Sequence, residues 1–99
     1  MVEHIVLLKL KSNASEEQIR ELTQALLKMG DEIPGIEEIS AGANSSSEGK
    51  NQGYDYGMIV RFRDAGARDN YLPHPFHLKT SGEHLRPMAD DVLVLDYEH

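Results

Sequence analysis

The chain has 99 residues, with 17 acidic and 10 basic side chains, a formal net charge of −7 and no cysteine. This length predicts one domain over residues 1–99, and the missing cysteines exclude disulfides and Cys-rich zinc sites. The negative charge and the absence of Lys/Arg runs disfavour nucleic acid and anionic membrane surfaces as partners. No apolar run is long enough to span a bilayer, and the N-terminus lacks a basic region of the signal-peptide kind. We therefore expect a cytoplasmic protein.

The first strand is predicted over residues 4–11, where the opening residues are apolar on both faces. One face carries His4, Val6, Leu8 and Leu10, so His4 should point toward a buried layer. Lysines enter the opposite face toward the end of the run. The strand is therefore expected to be buried on both sides over its first half.

A helix is predicted over residues 15–30. Ser15 and Gln18 have the spacing of a capping box, and Gly30 is expected to close the helix before the turn at Pro34-Gly35. Its apolar side chains recur at intervals of three to four residues, on Ile19, Leu22, Leu26 and Met29.

The second half of the chain alternates in shorter segments. Residues 36–44 indicate a weak edge strand, and residues 44–53 contain nothing apolar and indicate a solvated, mobile loop. Residues 54–63 alternate as a strand with one buried face, formed by Tyr54, Tyr56, Met58, Val60 and Phe62.

Two helical pieces and a strand complete the chain. A short helix over residues 65–72 ends before Pro73, and a second helical piece runs from about residue 74 to 86, near Pro87. The Asp90-Asp91 pair is expected in a solvated turn, followed by a strand over residues 92–97 that is apolar on both sides.

The element order β-α-β-β-α-β predicts an α+β fold, a ferredoxin-like sandwich with two helices on one face of a four-stranded sheet. The other face would carry an apolar patch from Ile5, Leu7, Ile59 and one side of residues 92–97. Patches of this kind are uncommon on monomers. A homodimer that packs sheet against sheet is therefore expected.

Five histidines are unusual in so short a chain. His99 is expected to be disordered and His84 to lie on the surface, which leaves His4, His74 and His77 as candidates for chemistry. The last two are three residues apart and share one side of a helical turn. The sequence also contains Arg61 and Arg63, expected either to meet acids across a subunit interface or to face water.

Three interpretations of His74 and His77 stay open. His74 could cap a helix that starts at Pro75. The pair could join a third ligand in a metal site, although no carboxylate completes a known pattern. His77 could instead be a general base or acid, because a neutral imidazole titrates close to pH 7, with Tyr56, Tyr71 and His4 as hydrogen-bonding neighbours.

Several segments resemble the stress-responsive dimeric α/β-barrel (Dabb) family over nearly the whole length. They are the opening run of residues 4–11, the turn at residues 33–36, the Gly-Tyr-Asp-Tyr at residues 53–56 and the closing run of residues 92–97. The most specific part is the run Tyr71-Leu72-Pro73-His74-Pro75-Phe76-His77 together with the N-terminal histidine. The resemblance implies a ferredoxin-like subunit whose dimer closes two sheets into a barrel.

The resemblance also implies a pocket between sheet and helices. In polyketide-cyclase members of the family, pocket histidines act on a bound polyketide without metal or cofactor, and the matching positions here are His4 and His77, with Tyr71 beside them. At two other pocket positions those members have a tyrosine and a histidine, where this sequence has Leu26 and Tyr56. We expect the ligand-binding residues to be Tyr56, Leu8, Leu26, Met58 and His74.

The leading functional hypothesis is a homodimer that binds a small, partly apolar ligand. It would use no metal and no cofactor, and its activity would be unassigned. The alternative is a cofactor-independent enzyme, cyclase-like, lyase-like or monooxygenase-like, in which His77 is the general acid or base. His4 and Tyr71 would then orient the substrate. A purely structural role in stress tolerance, through a stable oligomer, is a third hypothesis.

Overall fold

The computed structural model describes residues 1–99 as one four-stranded antiparallel sheet. The strands lie in the spatial order β2-β3-β1-β4 and are β1 (Val2–Leu10), β2 (Ile36–Ala43), β3 (Tyr56–Phe62) and β4 (Ala89–Glu98). Strands β1 and β3 occupy the centre, so β2 is an edge strand as its weak alternation predicted. The fold is the predicted ferredoxin-like α+β fold.

Helix α1 (Glu16–Glu32) begins at the predicted capping box. The Gln18 amide donates to Ser15 Oγ at 3.1 Å, and the Ser15 amide donates to Gln18 Oε1 at 2.9 Å. The predicted end at Gly30 is wrong, because the helix continues to Glu32. Gly30 has a different role, since a Cβ there would lie 2.9 Å from Cγ2 of Ile39 on β2. Glycine therefore lets α1 approach the sheet closely.

The turn after α1 depends on Gly35. Its φ of +93° lies in the left-handed region, and a Cβ there would lie 2.6 Å from the Cβ of Ala67. Ala67 belongs to α2 (Ala65–Tyr71), which Asp64 caps by accepting from the Ala67 amide at 2.8 Å. Gly35 thus allows the α1–β2 connection to pass directly beneath α2.

The predicted second helical piece is present but irregular. It consists of α3 (Pro75–Thr80), a π-helical turn (Ser81–Leu85) and a 3₁₀ turn (Arg86–Met88). Strand β4 starts immediately afterwards, so the expected solvated turn at Asp90-Asp91 is wrong. Both residues lie inside the strand, and Asp91 Oδ2 accepts from the Tyr54 hydroxyl at 3.0 Å.

The core lies between α1 and the central strands. The predicted faces of β1 and β3 point into it, with Val6, Leu8, Met58, Val60 and Phe62 all buried. Leu22, Leu26 and Met29 of α1 pack over them, each 1% exposed. Burying one such side chain stabilises the fold by roughly 1.5–3 kcal/mol. The alternating faces of β1 and β3 and the apolar stripe of α1 therefore meet in one core.

Strand β4 differs from this arrangement. Its apolar residues stay exposed on both faces, with Val92 at 42% and Val94 at 54% on the helical side. The open side carries Leu93, Leu95 and Tyr97, exposed by 47%, 59% and 50%. β4 is an edge strand that the helices do not cover, so the strand predicted to be apolar on both sides is also exposed on both sides within the subunit.

The open face of the sheet carries a polar cluster beside its apolar residues. Glu3 is 5% exposed and accepts from Arg61 Nε at 2.9 Å and from His99 Nε2 at 2.7 Å. Arg61 also reaches Glu38 at 3.4 Å, so it meets acids of its own chain. His99 is therefore an ordered member of this cluster, and its expected disorder is wrong. Arg63 pairs with Asp64 at 3.5 Å.

Candidate functional site

A cavity of about 210 Å³ lies between the helices and the half of the sheet that ends at β4. Its wall is mostly apolar and includes Val6, Leu26, Met29, Met58 and Val94. Its polar side chains are His4, Tyr71, His77, Thr80 and Ser81, and no Lys, Arg, Asp or Glu lines it. The cavity thus fits a small ligand that carries no more than a few polar groups.

His77 is held by the end of the preceding helix. Its Nδ1 lies 2.9 Å from the Leu72 carbonyl oxygen. Because a carbonyl can only accept, Nδ1 carries the proton and Nε2 has a free lone pair. Burial lowers the pKa of His77 below its usual 6.5, which the Leu72 bond partly opposes and the positive charge of nearby Arg86 reinforces. His77 is therefore a neutral imidazole with an accepting nitrogen.

His4 is positioned by strand pairing. It is 5% exposed and lies directly opposite Asp96 in the β1–β4 register. Its Nδ1 is 2.6 Å from Asp96 Oδ1, while Asp96 Oδ2 accepts from Arg68 Nη1 at 3.2 Å. The carboxylate fixes the proton on Nδ1 and the orientation of the ring, as in other His–Asp pairs. Nε2 of His4 is again the nitrogen left free.

Tyr71 separates the two imidazoles. Its ring centroid lies 5.7 Å from that of His4 and 4.1 Å from that of His77. Its hydroxyl donates to the Met29 sulfur at 3.9 Å, and burial raises the pKa of the phenol far above its usual 10. Tyr71 thus contributes an aromatic ring and a protonated hydroxyl. Together His4, Tyr71 and His77 form the His4–His77 site.

The structure brings together only part of the predicted residue set. Leu26 and Met58 line the cavity beside the His4–His77 site, whereas Leu8 is buried in the core. The hydroxyl of Tyr56 bonds to the Thr23 hydroxyl, that of Tyr71 donates to the Met29 sulfur, and His4 bonds to Asp96. The expected hydrogen bonding of Tyr56, Tyr71 and His4 to His77 is therefore wrong.

His74 occupies the position that its capping interpretation predicted. Its Nδ1 accepts from the Phe76 amide at 3.0 Å and caps α3, outside the cavity lining. The chain contains no cluster of three or more His, Cys, Asp or Glu side chains that could hold a metal ion. His74 and His77 therefore lie close in sequence but perform separate tasks in the structure.

Sequence reasoning missed Asp96 and Arg68. Asp96 was visible as the single acid of the predicted apolar strand over residues 92–97, yet its partner depends on the β1–β4 register. Arg68 reaches Asp96 from α2, which no periodicity reveals. The hydroxyls of Thr80 and Ser81 were also missed because the π-helical turn that begins at Ser81 has no clear sequence signal.

A larger depression of about 460 Å³ lies on the open face of the sheet, between Leu7, Leu93 and the loop at Lys50, Asn51 and Gln52. No histidine, aspartate or glutamate lines it. No helix of the chain is both long and apolar enough to cross a membrane.

The fold and cavity define a ferredoxin-like α+β protein with a histidine-containing pocket. The family model described as Stress responsive A/B Barrel Domain (Dabb) matches residues 2–99. The chain belongs to the Dabb family, as its segments indicated.

Two plant proteins are similar to this chain over nearly its full length. A stress-response A/B barrel domain-containing protein of Arabidopsis thaliana is 30% identical over 97 residues, covering 98% of this chain and 88% of the relative. Olivetolic acid cyclase of Cannabis sativa is 26% identical over 96 residues, covering 97% of this chain and 94% of the cyclase.

A solved structure from Jannaschia shares both sequence and fold with the chain. It is 33% identical, has a TM-score of 0.82 and is described as a dimeric ferredoxin-like protein of unknown function. The match covers 99% of this chain and 98% of that one. Dimeric assembly is thus found among the structural relatives.

Proposed function

We propose that the protein is a homodimer that binds a small, partly apolar ligand in the cavity of the His4–His77 site. The observation that carries the proposal is the free Nε2 of His77 at a cavity with an otherwise mostly apolar lining. Apolar pockets with a few convergent polar groups and a residue of perturbed pKa are typical of binding sites. The ligand would bury its apolar body against Met29 and Met58.

The open face of the sheet is the proposed dimer interface. It exposes Ile59, Leu93, Leu95 and Tyr97, and the Jannaschia relative is dimeric. Packing two such faces together would remove this apolar area from water. It would also cover the cluster around Glu3 and Arg61.

The four methionines provide a test of the binding site. Met29 and Met58 line the cavity, whereas Met1 and Met88 do not. A protein labelled with ¹³C on the methionine methyl groups should be screened by NMR against small neutral fragments. We expect hits that shift the Met29 and Met58 signals and leave those of Met1 and Met88 in place. A screen in which no fragment moves Met29 or Met58 contradicts the proposal.

A second candidate function is proton transfer without a cofactor. It is favoured by the lowered pKa of His77 and by its free Nε2, which could accept a proton from an O–H or an acidic C–H of a ligand. His4, fixed by Asp96, would orient the ligand. The 26% identity to olivetolic acid cyclase over 97% of this chain supports this candidate. The family resemblance implies that His4 and His77 match the pocket histidines of its polyketide-cyclase members.

Hydrogen–deuterium exchange tests the second candidate. Fragments with acidic C–H groups are incubated with the protein in D₂O, and loss of the C–H signal is followed by NMR. Exchange should depend on His77, so the His77→Gln variant should lose it, while His84→Gln, a change outside the cavity lining, should retain it. Equal exchange rates in wild type and His77→Gln would rule out His77 as the base.

A further inference from the structure

The two imidazoles of the cavity have the same hydrogen-bonding state. Each uses Nδ1 as a donor, His77 toward the Leu72 carbonyl and His4 toward the Asp96 carboxylate. Neither Nε2 atom has a hydrogen-bond partner in the chain. Every side-chain nitrogen or oxygen that is fully buried does have a partner, so these two atoms are not fully buried. Both Nε2 atoms are therefore accessible, and on a neutral imidazole with its proton on Nδ1 the Nε2 atom can only accept.

The charge of the surroundings reinforces this pattern. The lining contains no cationic side chain, and the neighbouring Arg68 is already bonded to Asp96 and Asp69. The chain as a whole carries a net charge of −7. A ligand carboxylate would therefore face two lone pairs without a counter-ion, and burying an unpaired charge is costly.

We propose that the cavity selects neutral, hydroxyl-bearing ligands with an apolar body, in preference to ketones or carboxylates of the same skeleton. The inference rests on the proposed ligand-binding function and specifies its ligand class. A hydroxyl can donate to a free Nε2, whereas a ketone oxygen facing the same atom leaves a desolvated acceptor unpaired. A ligand with two hydroxyls could satisfy both imidazoles.

Two other groups in the lining reduce this selectivity without reversing it. The hydroxyls of Thr80 and Ser81 can either donate or accept, so they can serve an alcohol as well as a ketone. The Tyr71 hydroxyl already donates to Met29. Discrimination between the two ligand classes therefore falls to the imidazoles of His4 and His77.

A matched pair of probes tests the inference. 4-Methylcyclohexanol and 4-methylcyclohexanone share one carbon skeleton and differ in whether their oxygen can donate. Both are titrated at pH 8, where His77 is neutral because its pKa is lowered, and the Met29 and Met58 methyl signals are read. We expect the alcohol to bind about tenfold more tightly, the usual consequence of leaving one acceptor unpaired.

The possible outcomes distinguish a failure of the ligand preference from a failure of the proposed binding function. Equal binding of the probes, or tighter binding of the ketone, overturns the inference and leaves the proposed function standing. If neither probe moves Met29 or Met58, both fail. In the His77→Gln variant the side-chain amide can donate as well as accept, so the preference for the alcohol should fall, while His84→Gln should retain it.

A measurement without ligand covers the case in which His77→Gln does not fold. The ¹⁵N chemical shifts of the histidine rings in the wild-type protein distinguish protonated from unprotonated ring nitrogens. At pH 8 we expect His4 and His77 to carry their proton on Nδ1. A proton on Nε2 of both rings would overturn the inference.

Discussion

The two halves of the helix-covered side of the sheet differ in how completely their apolar residues are buried. Beneath α1, residues such as Leu22, Val60 and Phe62 are at most 1% exposed. Beside β4, Val92 and Val94 remain 42% and 54% exposed at the rim of the cavity. The first half contributes most of the burial that stabilises the subunit, which leaves the second half free to keep an unfilled volume next to its histidines.

The largest expected effect concerns the apolar β4 strand, if its open side is covered by a second subunit. Leu95→Asp would bury a carboxylate twice in a two-fold interface, at a cost of several kcal/mol of association free energy. We expect light scattering at micromolar concentration to show a dimer for wild type and a monomer for Leu95→Asp. Leu27→Asp, on the outer side of α1 and 41% exposed, is the control that should remain dimeric. A monomeric wild type would refute the proposed interface.

The next largest effect is expected in the half of the sheet that α1 covers. Leu22→Ala removes a side chain that is 1% exposed and should lower the free energy of unfolding by about 2–5 kcal/mol. Leu78→Ala, at a position 50% exposed, should change it by less than about 0.5 kcal/mol. Urea denaturation measures both variants. Similar losses for the two would show that α1 is not the principal stabilising contact.

A smaller loss is expected at the turn that joins α1 to β2. Gly35→Ala places a methyl group at φ +93° and against Ala67, which should cost about 1–3 kcal/mol of unfolding free energy. Gly82→Ala is the matched control, because no heavy atom lies within 4 Å of its Cβ position. Urea denaturation should leave Gly82→Ala as stable as wild type; an equally stable Gly35→Ala would mean that the turn tolerates a side chain.

The smallest effect is a pH dependence of the free energy of unfolding, and it arises from His77 in the cavity. Burial lowers the pKa of His77 in the folded chain, so below about pH 6.5 the unfolded chain binds this proton more readily. Stability contributed by neutral His77 should therefore be complete above pH 6.5 and decline as the pH falls toward the folded pKa. Denaturation curves between pH 8 and 5 should show a shallower decline for His77→Gln. Parallel curves would contradict the lowered pKa.

Local patterns predicted most of the fold. The alternation of β1 placed His4 on the buried side, and Ser15 with Gln18 marked the start of α1. Gly30 was misread because a glycine at a helix end and a glycine at a close helix–sheet contact have the same local sequence signal. Local periodicity thus predicts the secondary-structure elements and their buried faces, but not how closely two elements pack.

The site depended on information that no local pattern carries. His77 and Tyr71 come from one short run, whereas the pairing of His4 with Asp96 spans 92 positions and follows only from strand register. The same applies to Arg61, whose acidic partners turned out to lie on neighbouring strands of its own sheet. The sequence indicated which residues are candidates for the site, but not the hydrogen-bond partners of those residues.

The bond between His77 and Leu72 also fastens two helices to each other. Leu72 is the C-cap of α2, where a helix leaves its last carbonyls without partners, and the imidazole that satisfies this one comes from α3. Rotating the ring to meet a ligand would release the end of α2. A ligand that uses His77 without turning its ring therefore preserves this contact between α2 and α3.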